Sequence, residues 1–367
     1  MHWIIIGLTG FYVLNACYYF LGIRRLKKQS GEPVPFPDTW PLVSVIIPVR
    51  NEQTTIAHTL DCLLSQGYPG DRFEIIVVDD HSTDRTSDII TDYQEKHERI
   101  ETIRIDQVPD GISGKKHAVK SGMDYAEGEI IVTTDGDVEM GTEWLERMVG
   151  AFKQETGMVA GITVYKSNTR LLHVYQSLDA ASLSIISAAM IANGTPLTCQ
   201  GSNLAYRKSA YEDVDGFTGV DHITSGDDDL LMQKIDTRTE WRIKAITDPD
   251  SIVYTRPADT LIEVINQRSR WASKGTVYPK NWTRIYLPLI YLSMLGFIAG
   301  ILFLPLGLFG TIWLAKLAVD STMTRLVMSI VRESSLRNGF LPVAIGQPFV
   351  VVIAGLRGLL GQFTWKH

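Results

Sequence analysis

Three uncharged runs constrain this 367-residue chain more than any other feature of it. Trp3 to Ile23 carry no charge over 21 residues, Ile285 to Ala315 none over 31, and Asn338 to Leu356 none over 19. A helix needs about 20 apolar residues to cross a bilayer core, so both ends predict membrane helices. The basic cluster Arg24, Arg25, Lys27 and Lys28 follows the first run, whereas a cleaved signal peptide carries its positive charges before its apolar stretch. The positive-inside rule then places the next segment in the cytoplasm. At the other end, 31 residues exceed one span and fall short of two. Pro305 and Gly307 suggest a turn, and the basic residues Arg284 before and Lys316, Arg325, Arg332 and Arg337 after predict a hairpin over about 285–319 with both ends cytoplasmic. One long tilted helix is the alternative. Residues 320–337 mix apolar and basic side chains, as an interfacial segment does, and 338–356 form a further membrane segment.

The expected organisation is therefore a transmembrane helix (1–23), a basic and Pro-rich linker (24–41, with Pro33, Pro35, Pro37 and Pro41), a cytoplasmic domain (42–280) and a C-terminal membrane region (281–367). With 45% apolar and 21% charged residues, the middle block can bury a core, which excludes collagen-like and disordered classes. Cys17, Cys62 and Cys199 are too few for a disulfide scaffold. A formal charge of −6 gives no reason to expect a nucleic-acid partner.

Within the middle block, strand-like runs (Val43–Pro48, Phe73–Val78, Glu101–Ile105, Glu129–Thr133) alternate with helix-like ones (Thr54–Ser65, Arg85–His97, Lys115–Ala126). That alternation predicts βαβ units and an open α/β sheet covered by helices. Ligands bind such sheets beyond the carboxyl ends of the strands. Those ends are acidic here. Phe73–Val78 leads into Asp79-Asp80, and two adjacent carboxylates repel unless they hold a donor or a cation. Asp80 can accept an N–H of a base or a ribose hydroxyl, or, with Ser82, simply cap the next helix. Glu129–Thr133 leads into Asp135-Gly136-Asp137. At a period of two both carboxylates share a face, and Gly136 lets a ligand approach the backbone. A hard cation, Mg²⁺ or Mn²⁺, takes one or two carboxylates plus substrate phosphates. Asp213-Val214-Asp215 and Asp248-Pro249-Asp250 have the same spacing without a buried strand before them.

Ser113-Gly114-Lys115-Lys116 opens a helix with two cations, suited to a diphosphate. Gly226-Asp227-Asp228-Asp229 precedes an apolar helical pattern and serves either the helix dipole or as a general base. Gln267-Arg268-Ser269-Arg270-Trp271 places amide, guanidinium and indole on about one helical turn next to the membrane run. It reads as an interfacial anchor or as a diphosphate clamp with a sugar-stacking indole.

The order of Val43-Ser-Val-Ile-Ile-Pro-Val-Arg-Asn-Glu52, Asp79-Asp80, Gly114-Lys115, Asp135-Gly136-Asp137, Gly226-Asp227-Asp228 and Gln267-x-x-Arg270-Trp271, over about residues 42–275, resembles the membrane-bound family 2 glycosyltransferases of GT-A fold. That branch includes cellulose, chitin and hyaluronan synthases and ceramide glucosyltransferases. The resemblance implies an open mixed sheet flanked by helices, with transmembrane helices at both ends. It implies that Pro48, Glu52 and Asp80 line the nucleoside pocket, with Arg50 where the family often has an aromatic. Lys115, or Lys116 in its place, would meet the nucleotide sugar, Asp135 the nucleotide and Asp137 the metal. The family's Glu-Asp pair is Asp227-Asp228 here, with Asp229 a further candidate, and register assigns the base to Asp228. Gln267, Arg270 and Trp271 match unchanged and would act on the diphosphate and the acceptor.

The implied reaction is inverting: a hydroxyl of a lipid or membrane-emerging glycan attacks the anomeric carbon of a nucleotide-diphosphate sugar, most simply UDP-linked, and Asp228 takes the proton. A processive polysaccharide synthase is the alternative, and few spans for a polymer channel favour transfer of one sugar. A non-catalytic nucleotide-sugar-binding membrane protein is set against the intact base, metal ligand and Arg-Trp element. The sequence leaves the oligomeric state open.

Overall fold

A computed structural model describes residues 1–29 and 39–362, so Pro33, Pro35 and Pro37 of the linker lie outside the described residues. Helix α1 (His2–Gln29) does not stop at Ile23: the basic cluster forms its last turns, where cations complement the helix dipole. There follow β1 (Val43–Val49), α2 (Ile56–Leu64), β2 (Phe73–Asp80), α3 (Thr86–Gln94), β3 (Ile100–Ile105), α4 (Gly114–Tyr125), β4 (Ile130–Thr133), β5 (Val138–Met140), α5 (Trp144–Gly150), β6 (Thr156–Ala160) and β7 (Thr163–Tyr165). Next come α6 (Leu171–Ala192), β8 (Leu204–Arg207), α7 (Lys208–Glu212), α8 (Asp229–Arg238), β9 (Arg242–Ala245), β10 (Val253–Thr255) and α9 (Leu261–Ser273). The chain closes with α10 (Thr283–Phe303), α11 (Leu306–Val331) and α12 (Phe340–Leu359).

The residues divide into two units. One comprises Gly22–Val164 and Ser184–Arg256, the other Met1–Leu21, Tyr165–Leu183 and Pro257–His367.

The first unit is built on a seven-stranded mixed sheet, order β3-β2-β1-β4-β8-β6-β9. Strands β1, β2, β3 and β4 are parallel, whereas β8 runs antiparallel to β4 and β6. A second sheet of three strands has the order β5-β10-β7. The central strand Val-Ser-Val-Ile-Ile-Pro-Val is buried almost throughout because it has a neighbour on each side and helices on both faces, which is why it reads as an unbroken apolar run. Its alternate members Val43, Val45, Ile47 and Val49 join Ile56, Leu60, Leu63, Trp144 and Met148 in the main core. The strand order reverses at β1: the chain steps outward to β2 and β3, then returns to β4 on the other side. Pairing of β1 with β4 ends at Ile46↔Thr133, while pairing with β2 continues to Val49↔Asp79. Pro48 therefore lies beyond the last β1–β4 pair, where β4 has left the ladder.

In the second unit, the 31-residue uncharged run is two helices: α10 ends at Phe303, Leu304 and Pro305 make the break, and α11 continues to Val331. Residues 320–337 are shared between the end of α11 and a 3₁₀ segment, Ser334–Gly339. Lys316 does not anchor the chain at a surface. It is fully buried, 2.5 Å from Asp320 one turn on and 2.7 Å from the carbonyl of Ala344 in α12. Tyr12 donates to the same Asp320. Ile5, Met294, Phe297 and Ile312 form a local core. Among the described residues four helical stretches are long and apolar enough to cross a membrane: His2–Lys28, Leu171–Ala192, Thr283–Phe303 and Ser334–Leu359. The second of these was not expected from the sequence.

Candidate active site

Three sequence motifs converge on one ammonium. Lys115, in the first turn of α4, has its Nζ 2.8 Å from Asp135 Oδ1 and 3.2 Å from Asp227 Oδ2. Its side chain is 24% exposed. Burial disfavours the charged form, but Asp135 and Asp227, with Asp228 behind them, outweigh it and raise the lysine's pKa above its ordinary value. Lys116 does not share this role. Only 1% exposed, it turns away and donates to the carbonyls of Val220, Ile223 and Ser225 at 2.7–2.9 Å, fastening the loop that leads into the acidic run.

The acids separate in the same way. Asp228 caps α8: its Oδ1 accepts the Asp229 N–H at 2.7 Å and its Oδ2 the Gly201 N–H at 3.1 Å. Both oxygens are thereby held in one orientation beside Asp227. Asp229 is fully buried. Asp79 is the residue that caps the turn after β2, through Ser82 N–H at 3.0 Å and Ser87 Oγ, which leaves Asp80 free of that task. Asp80 bonds His81 and packs against Gly114, where an added Cβ would fall 2.7 Å from Asp80 Oδ2. A larger residue there would have to displace that carboxylate.

Asp135-Gly136-Asp137 is not strand: β4 ends at Thr133 and β5 begins at Val138, so these residues form the intervening turn and the period-two argument for a shared face does not apply. Thr59 of α2 fixes the turn by donating to the carbonyls of Gly136 and Val138 at 3.1 and 2.9 Å. Thr134 donates to Ser202 at 2.8 Å, tying the turn to the Gln200–Asn203 segment. A Cβ at 136 would lie 2.7 Å from Val49 Cγ1 and 3.5 Å from Glu52 Cγ, so the acidic turn and the end of β1 are in close contact. Asp137 is half-buried. Among the described residues no three His, Cys, Asp or Glu side chains gather as a ligand set. A carboxylate that shares a hard cation with substrate phosphates needs no such set, so Asp137 fits that kind of metal site. The two control pairs are structural: Asp248 accepts the Asp250 N–H, and Asp213 accepts Trp241 Nε1–H at 2.8 Å.

Beyond β1, Arg50 has a buried Nε with no hydrogen-bond partner among the described residues. Glu52 accepts from Thr55 Oγ1 at 2.8 Å and donates its N–H to Thr86 at 2.8 Å. Pro48, Arg50, Glu52, Asp80, Lys115, Asp135, Asp137 and Asp228 all belong to the sheet-bearing unit: Pro48, Arg50 and Glu52 at or after the end of β1, Asp80 at the end of β2, Lys115 at the start of α4, Asp135 and Asp137 after β4, and Asp228 at the start of α8.

Gln267, Arg270 and Trp271 belong to the other unit, on α9. Thr260 and Glu263 form a reciprocal capping box that fixes the start of this helix. Gln267 Oε1 accepts from Tyr165 at 3.1 Å. Arg268, which the sequence reading passed over, is 8% exposed, pairs with Asp179 of α6, and lies 4.2 Å from the centre of the Trp271 ring.

Residues 130–353 match Glycosyl transferase family group 2, and residues 44–215 match Glycosyl transferase family 2. The chain is a family 2 glycosyltransferase. This glycosyltransferase is 31% identical over 249 residues to the probable glycosyltransferase YdaM of Bacillus subtilis, covering 65% of this chain and 56% of that one. It is 25% identical over 283 residues to the beta-monoglucosyldiacylglycerol synthase of Synechocystis sp., covering 74% and 56%. It is 25% identical over 330 residues to the poly-beta-1,6-N-acetyl-D-glucosamine synthase of Staphylococcus epidermidis, covering 81% and 75%. The matched stretch is just over half the length of the first two relatives. A mannosyltransferase from Pyrobaculum calidifontis, solved with GDP-Man and Mn²⁺, superposes with a TM-score of 0.62 at 22% identity over 98% of this chain and 99% of that one, and so shares the fold.

Proposed function

We propose that this glycosyltransferase moves one sugar, with inversion, from a UDP-linked donor to a hydroxyl of a membrane-associated lipid. The observation that carries the reading is the bridge from Lys115 to Asp135 and Asp227, which joins the elements proposed for the donor to the acidic run proposed for the acceptor. In the reaction the acceptor oxygen forms a bond to the anomeric carbon as the bond from that carbon to the diphosphate oxygen breaks. Asp228, already oriented by two backbone N–H groups, takes the acceptor's proton. Lys115 stays with the diphosphate as its charge grows and stabilises it electrostatically. Asp137 would hold a Mg²⁺ or Mn²⁺ ion, which would supply further charge neutralisation for the leaving diphosphate when bound. Pro48, Arg50, Glu52 and Asp80 receive the nucleoside, with the unpartnered Arg50 Nε as a donor to it. Gln267, Arg270 and Trp271 serve the diphosphate and the acceptor.

The apolar helices α1, α10 and α12 are read as membrane spans, and the basic residues Arg24, Arg25, Lys27 and Lys28 at the end of α1 support a cytoplasmic side for the sheet-bearing unit. The diacylglycerol-based relative supports a lipid acceptor. The polysaccharide synthase relative supports a second reading, processive polymer synthesis. Membranes containing the protein, incubated with a panel of radiolabelled nucleotide sugars, test both. Label extracted with lipid is expected. Label in a polymer selects the second reading, and no transfer from any donor overturns both.

A further inference from the structure

His81 is the residue after Asp80, and its backbone lies in the left-handed region at φ 48. A side chain there is disfavoured by contact of Cβ with the following carbonyl, and such conformations persist where the surroundings over-determine them, typically at ligand sites. The surroundings here are tight. Ser82 on one side is held by Asp79 and by the N–H of Asn51, and Thr83 donates to Asn51 Oδ1 at 2.8 Å. Asn51 is itself left-handed, at φ 56, and its side-chain bonds account for it. What the histidine gains is a single contact: Nδ1 lies 2.8 Å from Asp80 Oδ1. A carboxylate only accepts, so Nδ1 carries the proton. The ring is 35% exposed and the carboxylate 11%. Oδ1 is thus engaged, and Oδ2 lies against Gly114, where an added Cβ would come within 2.7 Å of it.

We infer that His81 determines nucleobase selectivity by engaging one lone pair of Asp80 Oδ1 and fixing the carboxylate, so that Oδ2 is its stronger acceptor. A single oxygen matches the lone imide N–H of uracil. The guanine edge, with N1–H beside N2–H₂, needs both carboxylate oxygens for its paired grip. The inference rests on the donor reading proposed above for Asp80.

The test is binding of UDP and of GDP to the detergent-solubilised full chain, for wild type, His81→Gly and His81→Asn. Wild type is expected to prefer UDP by tenfold or more. His81→Gly relieves the backbone conformation, so it should unfold no earlier than wild type, yet the UDP preference should fall by about tenfold as GDP binds better. His81→Asn, which tolerates φ > 0 and can still donate to Asp80, should keep most of the preference. An unchanged UDP:GDP ratio in His81→Gly overturns the inference while leaving the donor site standing, as does a wild type that prefers GDP. A wild type that binds neither nucleotide overturns the donor reading itself.

Discussion

Replacing Lys115 by Met removes the ammonium that holds Asp135 and Asp227. Two unit charges about 3 Å apart attract by roughly 1.4 kcal/mol in water and roughly 5.5 kcal/mol at an effective dielectric of 20. Burial of three-quarters of the side chain opposes part of that. A charge-assisted hydrogen bond contributes about 1.5–3 kcal/mol net, so the unliganded variant should lose about 2 kcal/mol of stability. The pH dependence gives a sharper signature. The raised lysine pKa means that its contribution is complete below the unfolded value of about 10.4 and fades only as pH climbs through the folded value, so wild type shows no loss from Lys115 between about pH 5 and 9. In the variant that contribution is absent, so its stability deficit should be the same at pH 5.5 and at pH 8. The rate should drop about 10²–10³-fold, the usual effect of deleting one donor to developing oxyanion charge. Thermal unfolding at pH 5.5 and 8, with initial rates at saturating donor, measures all three effects. A variant within threefold of wild-type rate, or one as stable as wild type at both pH values, refutes the electrostatic account of this lysine.

Asp228→Asn should abolish transfer and leave nucleotide-sugar binding intact by calorimetry; retained turnover excludes Asp228 as the base. EDTA should stop transfer and Mg²⁺ or Mn²⁺ restore it, and Asp137→Ala should lose that rescue; full activity in EDTA contradicts the role given to Asp137. Lys116→Met should leave three carbonyls without their donor and destabilise the fold by several kcal/mol, with proteolytic nicking rising within 216–226; resistance equal to wild type would show that the loop holds without it. Gly114→Ala should push Asp80 aside and weaken donor binding at least tenfold, although alanine favours the helix.

What the sequence made legible, and what it hid, divides along pairs of neighbours. The parallel strands were visible because strands buried on both faces leave unbroken apolar runs, and the acids at their ends could be placed once those runs were found. Adjacent residues of one type could not be told apart. Of Asp79 and Asp80 one caps a turn and the other packs on Gly114; of Lys115 and Lys116 one meets carboxylates and the other carbonyls. Arg268 and Arg270 share a motif, yet Arg268 is committed to Asp179. These choices depend on long-range packing. Helix α6 escaped notice because Asp179 interrupts its apolar character, and the reason a carboxylate is tolerated there, Arg268, lies 89 residues further along the chain. The acidic turn 135–137 was found through its residue types while its geometry was misread, since nothing local announces that β4 is only four residues long.

The bond from Tyr12 to Asp320 joins residues 308 positions apart. At a synthesis rate of about 5–20 residues per second, the first helix leaves the ribosome roughly 15–60 s before its partner exists. During that interval the whole sheet-bearing unit is made and can fold. When α11 arrives, Lys316 and Asp320 come one turn apart as an ion pair, so the carboxylate meets Tyr12 with its cation already beside it. Biogenesis of this chain thus ends with a hydroxyl on an early helix finding a carboxylate on a late one, and a truncation before residue 320 leaves the first helix permanently without that bond.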